Sequence, residues 1–386
     1  MTEQMHVEEA VAGYRDWLVT KALPLWATIG FDAADGSFVE RLSLDGRALG
    51  DLPRRAMVQA RQIYVYAHAA SLGWFPAGRD LALTAARRLV AGWWAADGAP
   101  GWVHARTTDG TIPDPTRDFY AHSFALYGLA WAYRLSPEPA FLEAADATLG
   151  FLDRHFASPS GGCFSTLPAD LDRREQNPHM HLFEAMLAWH AATGEARFLA
   201  RAGELRTMMA ARFFRADPGV LPEYFDGRWE RRAGPEGEIC EPGHHYEWSW
   251  LLRGYARLVG RGDDPIAVAL KAFADHHGFD GEGLIVDELR HDGSVHRASR
   301  RSWPHTEAIK AEVAAFEQGD TAAAGRAARV IGRLRSAFLD RTVEGGWIDR
   351  LDAAGAPMVD HMPASTLYHL FLAAAEADRV WGRDRG

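Results

Sequence analysis

The amino-acid sequence predicts an all-α protein: an (α/α)6 barrel of twelve helices in six pairs, with short β-hairpins on the rim of one end. Three observations predict this class. Segments with the 3.6-residue periodicity of amphipathic helices follow one another along the chain. A glycine-rich segment with an apolar centre follows each odd-numbered helix. A polar side chain returns near the start of each even-numbered helix, every 59 to 63 residues. Such repetition indicates a repeat architecture.

The helices are predicted from apolar periodicity, with glycine and proline as boundaries. Pro242-Gly243, Pro304 and Pro363 are boundaries of this kind. Composition does not shift along the 386 residues, so we expect one catalytic domain over 1–386. The predicted helices are 7–27, 53–73, 78–96, 118–135, 138–157, 179–193, 195–214, 242–260, 264–278, 303–318, 321–341 and 362–379.

The glycine-rich segments are predicted to form the rim. Several, such as GLIVDELRHDG from Gly283, combine alternating apolar residues with the Asp-Gly turn of a short hairpin. The other segments begin at Gly36, Pro100, Gly161, Gly219 and Gly345.

One polar residue per repeat at the same phase predicts that the even-numbered helices form an inner ring around a common axis. The odd-numbered helices would cover this ring, and joining the first pair to the last would remove the ends that an open array must cap. The six predicted axial residues are Arg61, His122, His181, His244, Glu307 and His369.

Composition excludes several classes of function. A net charge of -10 without any run of Lys and Arg argues against nucleic acid and anionic membranes as partners. Cys163 and Cys240 have no metal-ligand spacing and are predicted to be free thiols. No apolar stretch approaches the ~18 residues of a membrane helix, and the first ten residues are acidic without the apolar core that is typical of a signal peptide. We expect a cytoplasmic monomer or homodimer with a small-molecule substrate.

Two dense motifs place histidine and glutamate three residues apart: His181 with Glu184, and His244 with Glu247. On a helix such pairs share a face, and the carboxylate orients the imidazole and makes it more basic. His369 has no acidic neighbour in sequence and precedes an apolar stretch. It is therefore predicted to be neutral and able to act as a base.

Metal binding competes with this interpretation, because His179-Met180-His181 and His244-His245 resemble ligand pairs. On a helix, however, the two rings of His-x-His point roughly 200° apart. No His-Glu-x-x-His element is present. We therefore expect one ring of each pair in the pocket, the other in packing or solvent, and neither a metal nor another cofactor.

Two other functions remain open. A glycoside hydrolase or lyase needs two pocket carboxylates, and Glu184, Glu247 and Glu307 are available, with Glu247 or Glu307 as the acid. Histidines outnumber them at the inner positions, which favours proton transfer near neutral pH. A non-catalytic sugar-binding protein could use some of the 14 Trp residues as stacking platforms.

Five motifs in order carry a resemblance: Gln59-Ala60-Arg61-Gln62, Asn177 to Glu184, Pro242 to Trp248, Arg301-Ser302-Trp303-Pro304 and Leu367-Tyr368-His369-Leu370. On these residues the chain resembles the N-acylglucosamine 2-epimerase superfamily over nearly its whole length. Within that superfamily it is most similar to the bacterial aldose–ketose isomerases that act on mannose.

The resemblance implies roles for particular residues. His369 matches the base that removes the C2 proton of an open-chain sugar, His244 matches its acid/base counterpart, and Arg61 matches an arginine that stabilises the enediolate. With Glu247 these residues form the predicted catalytic set. The predicted substrate-binding residues are His181, Asn177, Tyr120, Trp303, His122, Glu184 and Glu307.

The resemblance favours interconversion of D-mannose and D-fructose, or of related free aldoses such as lyxose, through a cis-enediol(ate) without metal. The alternative is a 2-epimerase of the mannose/glucose, cellobiose or N-acylglucosamine type. Trp248 follows Glu247 here, whereas the epimerases usually have alanine. Met57 replaces the tryptophan of a related sulfosugar isomerase, and no basic residue accompanies Glu238 in sequence. An uncharged hexose is therefore expected.

Overall fold

A computed structural model describes residues 3–50 and 52–382. Outer and inner helices alternate along the chain and form an (α/α)6 barrel. Helix α1 runs from Glu3–Trp17 through a π-helical turn, Leu18–Ala22, into Leu23–Thr28. The others are α2 Ala56–Ser71, α3 Gly78–Trp93, α4 Phe119–Leu135, α5 Pro139–Phe151, α6 Asn177–Thr193, α7 Ala196–Met208, α8 Pro242–Leu258, α9 Pro265–His277, α10 Trp303–Glu317, α11 Ala323–Leu334 and α12 Thr366–Trp381.

The even-numbered helices are buried on nearly every side, because neighbours surround them and the odd-numbered helices cover them. In α10 every residue from Pro304 to Ala315 is buried. Such a helix needs apolar or small residues, or polar residues with buried partners, on every side. Gly128 on α4 shows why: a Cβ there would lie 2.6 Å from the Ala60 carbonyl oxygen on α2. The outer helices bury one face only, as in α7.

The ring closes between its first and last helices. Helix α1 packs against both α11 and α12, and α12 packs against α2. The buried Tyr14 hydroxyl donates to the Leu370 carbonyl oxygen at 2.7 Å. Arg15 pairs with Asp378 at 2.7 Å. The predicted closed ring is therefore confirmed.

Short strands form the rim, but most pairs differ from the predicted hairpins. Within single segments of the described chain, only β1–β2 and β11–β12 are paired strands. The other pairs, β4–β5, β6–β7, β8–β9, β10–β11, β13–β14 and β15–β3, join each segment to the next. The strands are β1 Phe31–Asp32, β2 Ser37–Phe38, β3 Arg41–Ser43, β4 Arg54–Arg55, β5 Ala105–Arg106, β6 Arg117–Asp118, β7 Thr166–Leu167, β8 Arg174–Glu175, β9 Tyr224–Phe225, β10 Ile239–Cys240, β11 Glu288–Arg290, β12 Val295–Arg297, β13 Arg300–Arg301, β14 Arg350–Leu351 and β15 His361–Pro363.

The predicted helix boundaries are correct to within four residues when the π-helical turns that continue α5 to Phe156, α7 to Phe213 and α11 to Leu339 are included. The largest errors are at the start of the first and last helices. Residues 362–365 were expected in the last helix, but Met362 and Pro363 belong to β15, where Met362 pairs with Leu42. Proline disfavours helical geometry in the residue before it, so the chain stays extended here and the helix starts at Thr366.

Four histidines, His122, His179, His245 and His305, attach the inner helices to the rim segments; we call them the clasp histidines. Nδ1 of each lies 2.7–3.1 Å from the carbonyl oxygen four residues earlier. Nε2 of each accepts a backbone N–H from the preceding glycine-rich segment at 3.0–3.2 Å. Burial lowers their pKa values to about 3 for His179 and about 4 for the others.

The placement of His122 corrects the sequence analysis. It was expected to face the axis and contact the substrate, but its ring lies against Phe151 and Phe156, and it accepts the Trp102 N–H at 3.1 Å. Gln59 performs the same task in the first repeat, where its Oε1 accepts the Phe38 N–H. Gln59 and the clasp histidines therefore form hydrogen bonds to the rim segments rather than to a ligand.

Two other sequence predictions can be compared with the structure. Cys163 and Cys240 are buried free thiols. Among residues 3–50 and 52–382, no helix combines the length and the apolar character needed to cross a membrane.

Candidate active site

A cavity of about 380 Å³ lies at the axis, where the inner helices begin. All six inner helices contribute, each from its first two turns. Parallel helices that start around one cavity direct the positive ends of their dipoles towards it, which favours a developing negative charge. The lining residues are Arg61, Tyr120, Asn177, His181, Glu241, His244, Glu247, Arg301, Trp303, Asp349, His361, Pro363, Ser365, Thr366 and His369.

His369 is held by a carboxylate from the neighbouring inner helix. Its Nδ1 lies 2.8 Å from Glu307 Oε1, which leaves Nε2 for the cavity. Burial lowers the pKa of His369 to about 3 despite this hydrogen bond, so the ring is neutral near pH 7. A neutral imidazole with its Nδ1 proton fixed can accept a proton at Nε2.

His244 lies beside the indole of Trp303, which also packs against His369, but its electrostatic surroundings differ. The ring centroids are 5.1 Å and 5.4 Å from Trp303. His244 Nδ1 lies 2.9 Å from Glu223 Oε2. Burial disfavours the charged ring, but Glu223 and Glu241 outweigh it and raise the pKa to about 9. His244 is therefore protonated near pH 7 and can act as an acid.

Arg61 supplies a cation that no carboxylate neutralises within ion-pair distance in the described part of the chain. Its guanidinium donates to the Tyr120 hydroxyl at 2.5 Å and to the Ser365 carbonyl oxygen at 3.1 Å. The charge also lies 4.1 Å from the Phe124 ring centroid. Neutral partners orient Arg61 while leaving its charge available to an anion in the cavity.

Three further polar residues, His181, Glu247 and Asn177, line the wall of the cavity. His181 Nδ1 lies 3.1 Å from Glu184 Oε2, and the Tyr368 hydroxyl donates to the other Glu184 oxygen at 2.6 Å. Both carboxylate oxygens of Glu247 and Oδ1 of Asn177 are buried without a hydrogen-bond partner among the described residues. Unpaired buried acceptors at a cavity suit a ligand rich in hydroxyl donors.

The structure thus separates the predicted site residues into three groups. His369, His244, Arg61, Glu247, His181, Asn177, Tyr120 and Trp303 line one cavity. Glu184 and Glu307 lie behind it and contact lining histidines. His122 lies outside the site. Within each predicted doublet, His181 and His244 line the cavity while His179 and His245 are clasp histidines, as the helix geometry predicts.

Sequence reasoning missed several residues that contact this set, and Lys310 and Glu223 are two that carry charge. Lys310 Nζ lies 2.5 Å from Glu307 Oε2, and the i, i+3 spacing on α10 was a signal that could have revealed it. Glu223, the partner of His244, lies 21 residues earlier in a rim segment. No local pattern connects it to His244.

Among the described residues, three groups of side chains have the donor types and proximity that a metal ion requires: His181, Glu184 and Glu247; Glu223, Glu241 and His244; and Glu247, Glu307 and His369. Existing hydrogen bonds between histidine and carboxylate occupy part of each set. Lys310 also lies against the third group. The expectation of a metal-independent site stays a prediction.

Comparison with known proteins gives matches that cover from about two thirds to almost all of the chain. The chain is 35% identical over 379 residues to the mannose-6-phosphate isomerase of Rhizobium meliloti (strain 1021), covering 94% of this chain and 95% of that protein. It is 28% identical over 283 residues to the D-mannose isomerase of Thermobifida fusca, covering 67% and 68%.

The fold is that of a solved cellobiose 2-epimerase from Bacillus thermoamylovorans B4167. The TM-score is 0.86 at 20% identity, covering 96% of this chain and 99% of the other. The family model for N-acylglucosamine 2-epimerase (GlcNAc 2-epimerase) matches residues 36–373. The chain belongs to the N-acylglucosamine 2-epimerase family.

Proposed function

We propose that the protein is an aldose–ketose isomerase that interconverts D-mannose and D-fructose by proton transfer, without a metal. The observation that carries this proposal is that one cavity is lined both by His369, which is hydrogen-bonded to the Glu307 carboxylate, and by Arg61, whose hydrogen-bond partners are neutral. The family and the curated relatives support the broader class, an enzyme that isomerises or epimerises sugars.

The reaction begins with an open-chain aldose in the cavity. Nε2 of His369 removes the proton from C2, the C1–C2 bond becomes double, and negative charge develops on O1. Glu307, 2.8 Å from Nδ1, stabilises the imidazolium that forms. Transfer of the O2 proton to O1 moves the negative charge to O2, and delivery of the proton held on His369 Nε2 to C1 then completes the ketose.

Arg61 is the group best suited to the developing charge on O1. Its guanidinium is oriented before the reaction, so little reorganisation is needed when the charge appears. Protonated His244 provides the acid that ring opening requires at the ring oxygen. The unpaired oxygens of Glu247 and Asn177 would accept hydrogen bonds from sugar hydroxyls.

A 2-epimerase is the second candidate, and His244 is the observation that favours it. Epimerisation returns the proton to the opposite face of C2, which calls for two proton-transferring groups on different sides of the substrate. His244 is protonated, and both it and His369 pack against Trp303. We favour the isomerase because Trp248 follows Glu247 and because two of the relatives are named as isomerases.

The charges around the cavity favour an uncharged sugar, although one relative is named as a mannose-6-phosphate isomerase. Glu241 and Asp349 both line the cavity. Arg301 is already paired with Glu241 at 2.7 Å and with Asp287 at 2.9 Å. A phosphate beside these carboxylates would be repelled.

The test is incubation of EDTA-treated protein with D-mannose, and separately with D-mannose 6-phosphate, followed by chromatography of the products. Fructose from the unphosphorylated sugar supports the proposal. Glucose would establish the 2-epimerase instead, and turnover of the phosphate ester alone would overturn the assignment of an uncharged substrate. If mannose, glucose and cellobiose all yield no product, both reactions are excluded.

The role of His369 has a separate test. We expect His369→Asn to reduce exchange of the mannose C2 proton with D2O by about 100-fold or more, because the base is lost. The control is His6→Asn, at an exposed position on α1. Exchange at the wild-type rate in His369→Asn would remove His369 from the base role.

A further inference from the structure

Beneath the cavity lies a fully buried lysine with no task in the proton transfer described above. Lys310 follows Glu307 by one helical turn, and its Nζ lies 2.5 Å from Glu307 Oε2. The ammonium is 4.0 Å from Glu247 Oε1 and 4.1 Å from the ring centroid of Trp250. Lysine is almost never fully buried unless it is paired, because removing the charge from water is costly.

Lys310 differs from Lys271, the other buried lysine of the described chain. Lys271 on α9 pairs with Glu312 at 2.8 Å and with the half-exposed Asp275 at 2.7 Å, between outer and inner helices. Lys310 instead contacts residues that line the cavity or hold its histidines. Its position therefore indicates a task at the active site.

The groups around Lys310 contain more acids than bases. Glu307 on α10, Glu247 on α8 and Glu184 on α6 are all buried, and Tyr368 and His369 face them from α12. His181 on α6, His244 on α8, Arg61 on α2 and Tyr14 on α1 complete the set. Buried carboxylates at such short range cannot all remain ionised. The position of the Lys310 ammonium determines which of these carboxylates stays ionised.

Lys310 favours the ionised form of Glu307 over that of the other two carboxyl groups. Burial raises the pKa of Glu184, and burial raises the pKa of Glu247 well above its usual range. Burial acts on Glu307 in the same direction, but Lys310 and the hydrogen bond from His369 outweigh it and lower the pKa of Glu307 to about 2.

The ionised state of Glu307 determines which nitrogen of His369 carries the proton. An ionised Glu307 can only accept, so His369 keeps its proton on Nδ1 and has its lone pair on Nε2, at the cavity. A protonated Glu307 would donate to Nδ1. The ring would then carry its proton on Nε2 and could not remove a proton from a sugar.

We propose that Lys310 is a positioning residue: it keeps Glu307 ionised and thereby holds His369 in the tautomer that acts as a base. The inference rests on the proposed isomerase function for its kinetic test, and a spectroscopic test is independent of that function.

The kinetic test compares Lys310→Met with the matched control Lys271→Met, which removes a buried, paired lysine outside the site. We expect Lys310→Met to lower kcat for mannose by about 100-fold with KM little changed, because the base is mis-protonated. The acidic limb of the kcat–pH profile of Lys310→Met should move to higher pH, since Glu307 now needs a higher pH to ionise. Equal activity in both variants, or loss without movement of the limb, would overturn the proposal.

A double variant distinguishes positioning from a general structural role. Gln at position 307 has a carbonyl oxygen that accepts from Nδ1 without an ammonium beside it. Adding Lys310→Met to Glu307→Gln should therefore cost less than about 3-fold in kcat, far below its effect in the wild-type background. A further 10-fold loss in the double variant would contradict the proposal, and this comparison remains decisive if Lys310→Met alone does not fold.

The tautomer itself can be observed without substrate by NMR of protein labelled with ¹⁵N-histidine, with His369→Asn to assign the signal. We expect the proton on Nδ1 in the wild type and on Nε2 in Lys310→Met. An unchanged tautomer would exclude this role for Lys310. A wild type that forms no product from sugars would overturn the proposed function, while the NMR result would still decide the inference.

Discussion

His244 and His369 both pack against Trp303, yet their surroundings give them opposite protonation states. Both rings are buried, which by itself favours the neutral form. Two carboxylates raise the pKa of His244 to about 9, while His369 has one carboxylate already compensated by Lys310, and its pKa is about 3. One site thus holds an acid and a base near neutral pH.

Replacing Glu223 should show how His244 keeps its proton. Glu223→Gln removes the main carboxylate that raises the pKa of His244, so the ring should lose its proton at a lower pH. The expected result is that the basic limb of the kcat/KM profile, near pH 9 in the wild type, moves to lower pH. Glu230→Gln, at an exposed residue of the same region, is the control. An unmoved basic limb would show that His244 is not the group that sets it.

His122 should contribute to stability and not to chemistry. His122→Leu leaves the Trp102 N–H buried without an acceptor, and we expect a loss of ~1–3 kcal/mol in the free energy of unfolding by urea. His122→Gln restores an acceptor of the kind that Gln59 supplies in the first repeat, and should lose less. If both variants lost stability equally, or if kcat fell in both, the clasp role would be wrong.

The clasp histidines also make the fold sensitive to acid. Burial lowers their pKa values in the folded protein to about 3 or 4. In the unfolded chain a histidine has a pKa near 6.5. Between these values the unfolded chain therefore binds more protons than the folded protein. Stability contributed by these groups is therefore present above pH 6.5 and lost as the pH falls. His122→Gln should shift the midpoint of acid unfolding to lower pH, measured by tryptophan fluorescence. The same change at the exposed His6 should not shift it.

At the scale of elements, the strands of the rim connect neighbouring helix pairs. Each strand that precedes an inner helix pairs with the next segment, and β15 returns to β3. The first turns of all six inner helices are thereby held in one register around the cavity. This explains how side chains from distant parts of the sequence reach a common site.

The seam between α1 and α12 can be tested directly. Tyr14→Phe removes the buried hydrogen bond to the Leu370 carbonyl oxygen, so we expect a loss of ~1 kcal/mol in the free energy of unfolding. Tyr133→Phe, on α4 and away from the seam, should lose less. Equal losses in the two variants would show that the seam hydrogen bond contributes nothing of its own.

At the scale of the whole molecule, we propose that residues 1–386 fold as one domain. One apolar core includes residues from Val7 on α1 to Trp381 on α12. Because each helix pair buries its apolar faces against its neighbours, losing one pair exposes the next. Urea unfolding curves from far-UV circular dichroism and tryptophan fluorescence should therefore coincide. Two separated transitions would contradict the proposal.

Much of the architecture could be predicted from the sequence because it depends on periodic patterns. Apolar residues at helical spacing and the returning Gly-rich segments predicted twelve helices in six pairs. Helix geometry predicted that only one ring of each histidine doublet would face the cavity. The rim pairing was predicted less well, since two-residue strands such as β4 and β5 have too few residues for a pattern.

His122 shows the limit of repeat phase as an argument. His122 and His181 follow the same spacing, but their positions in the first turns of α4 and α6 differ, and so one ring meets the rim and the other the cavity. A shift of one or two residues on a helix rotates a side chain by about 100° or 200°. Spacing near 60 residues cannot resolve such a rotation.

The sequence by itself determined the fold class and the order of the helices, because local periodicity encodes them. Its motifs and the family resemblance that they carry identified eight of the fifteen residues that line the cavity. Only the tertiary structure decided the partners: Glu223 with His244, Glu307 with His369, and Lys310 with both Glu307 and Glu247. These contacts set the charge of each group, and all of them except Lys310 with Glu307 join different elements of the fold. Protonation depends on distance and burial, which exist only once the ring has closed.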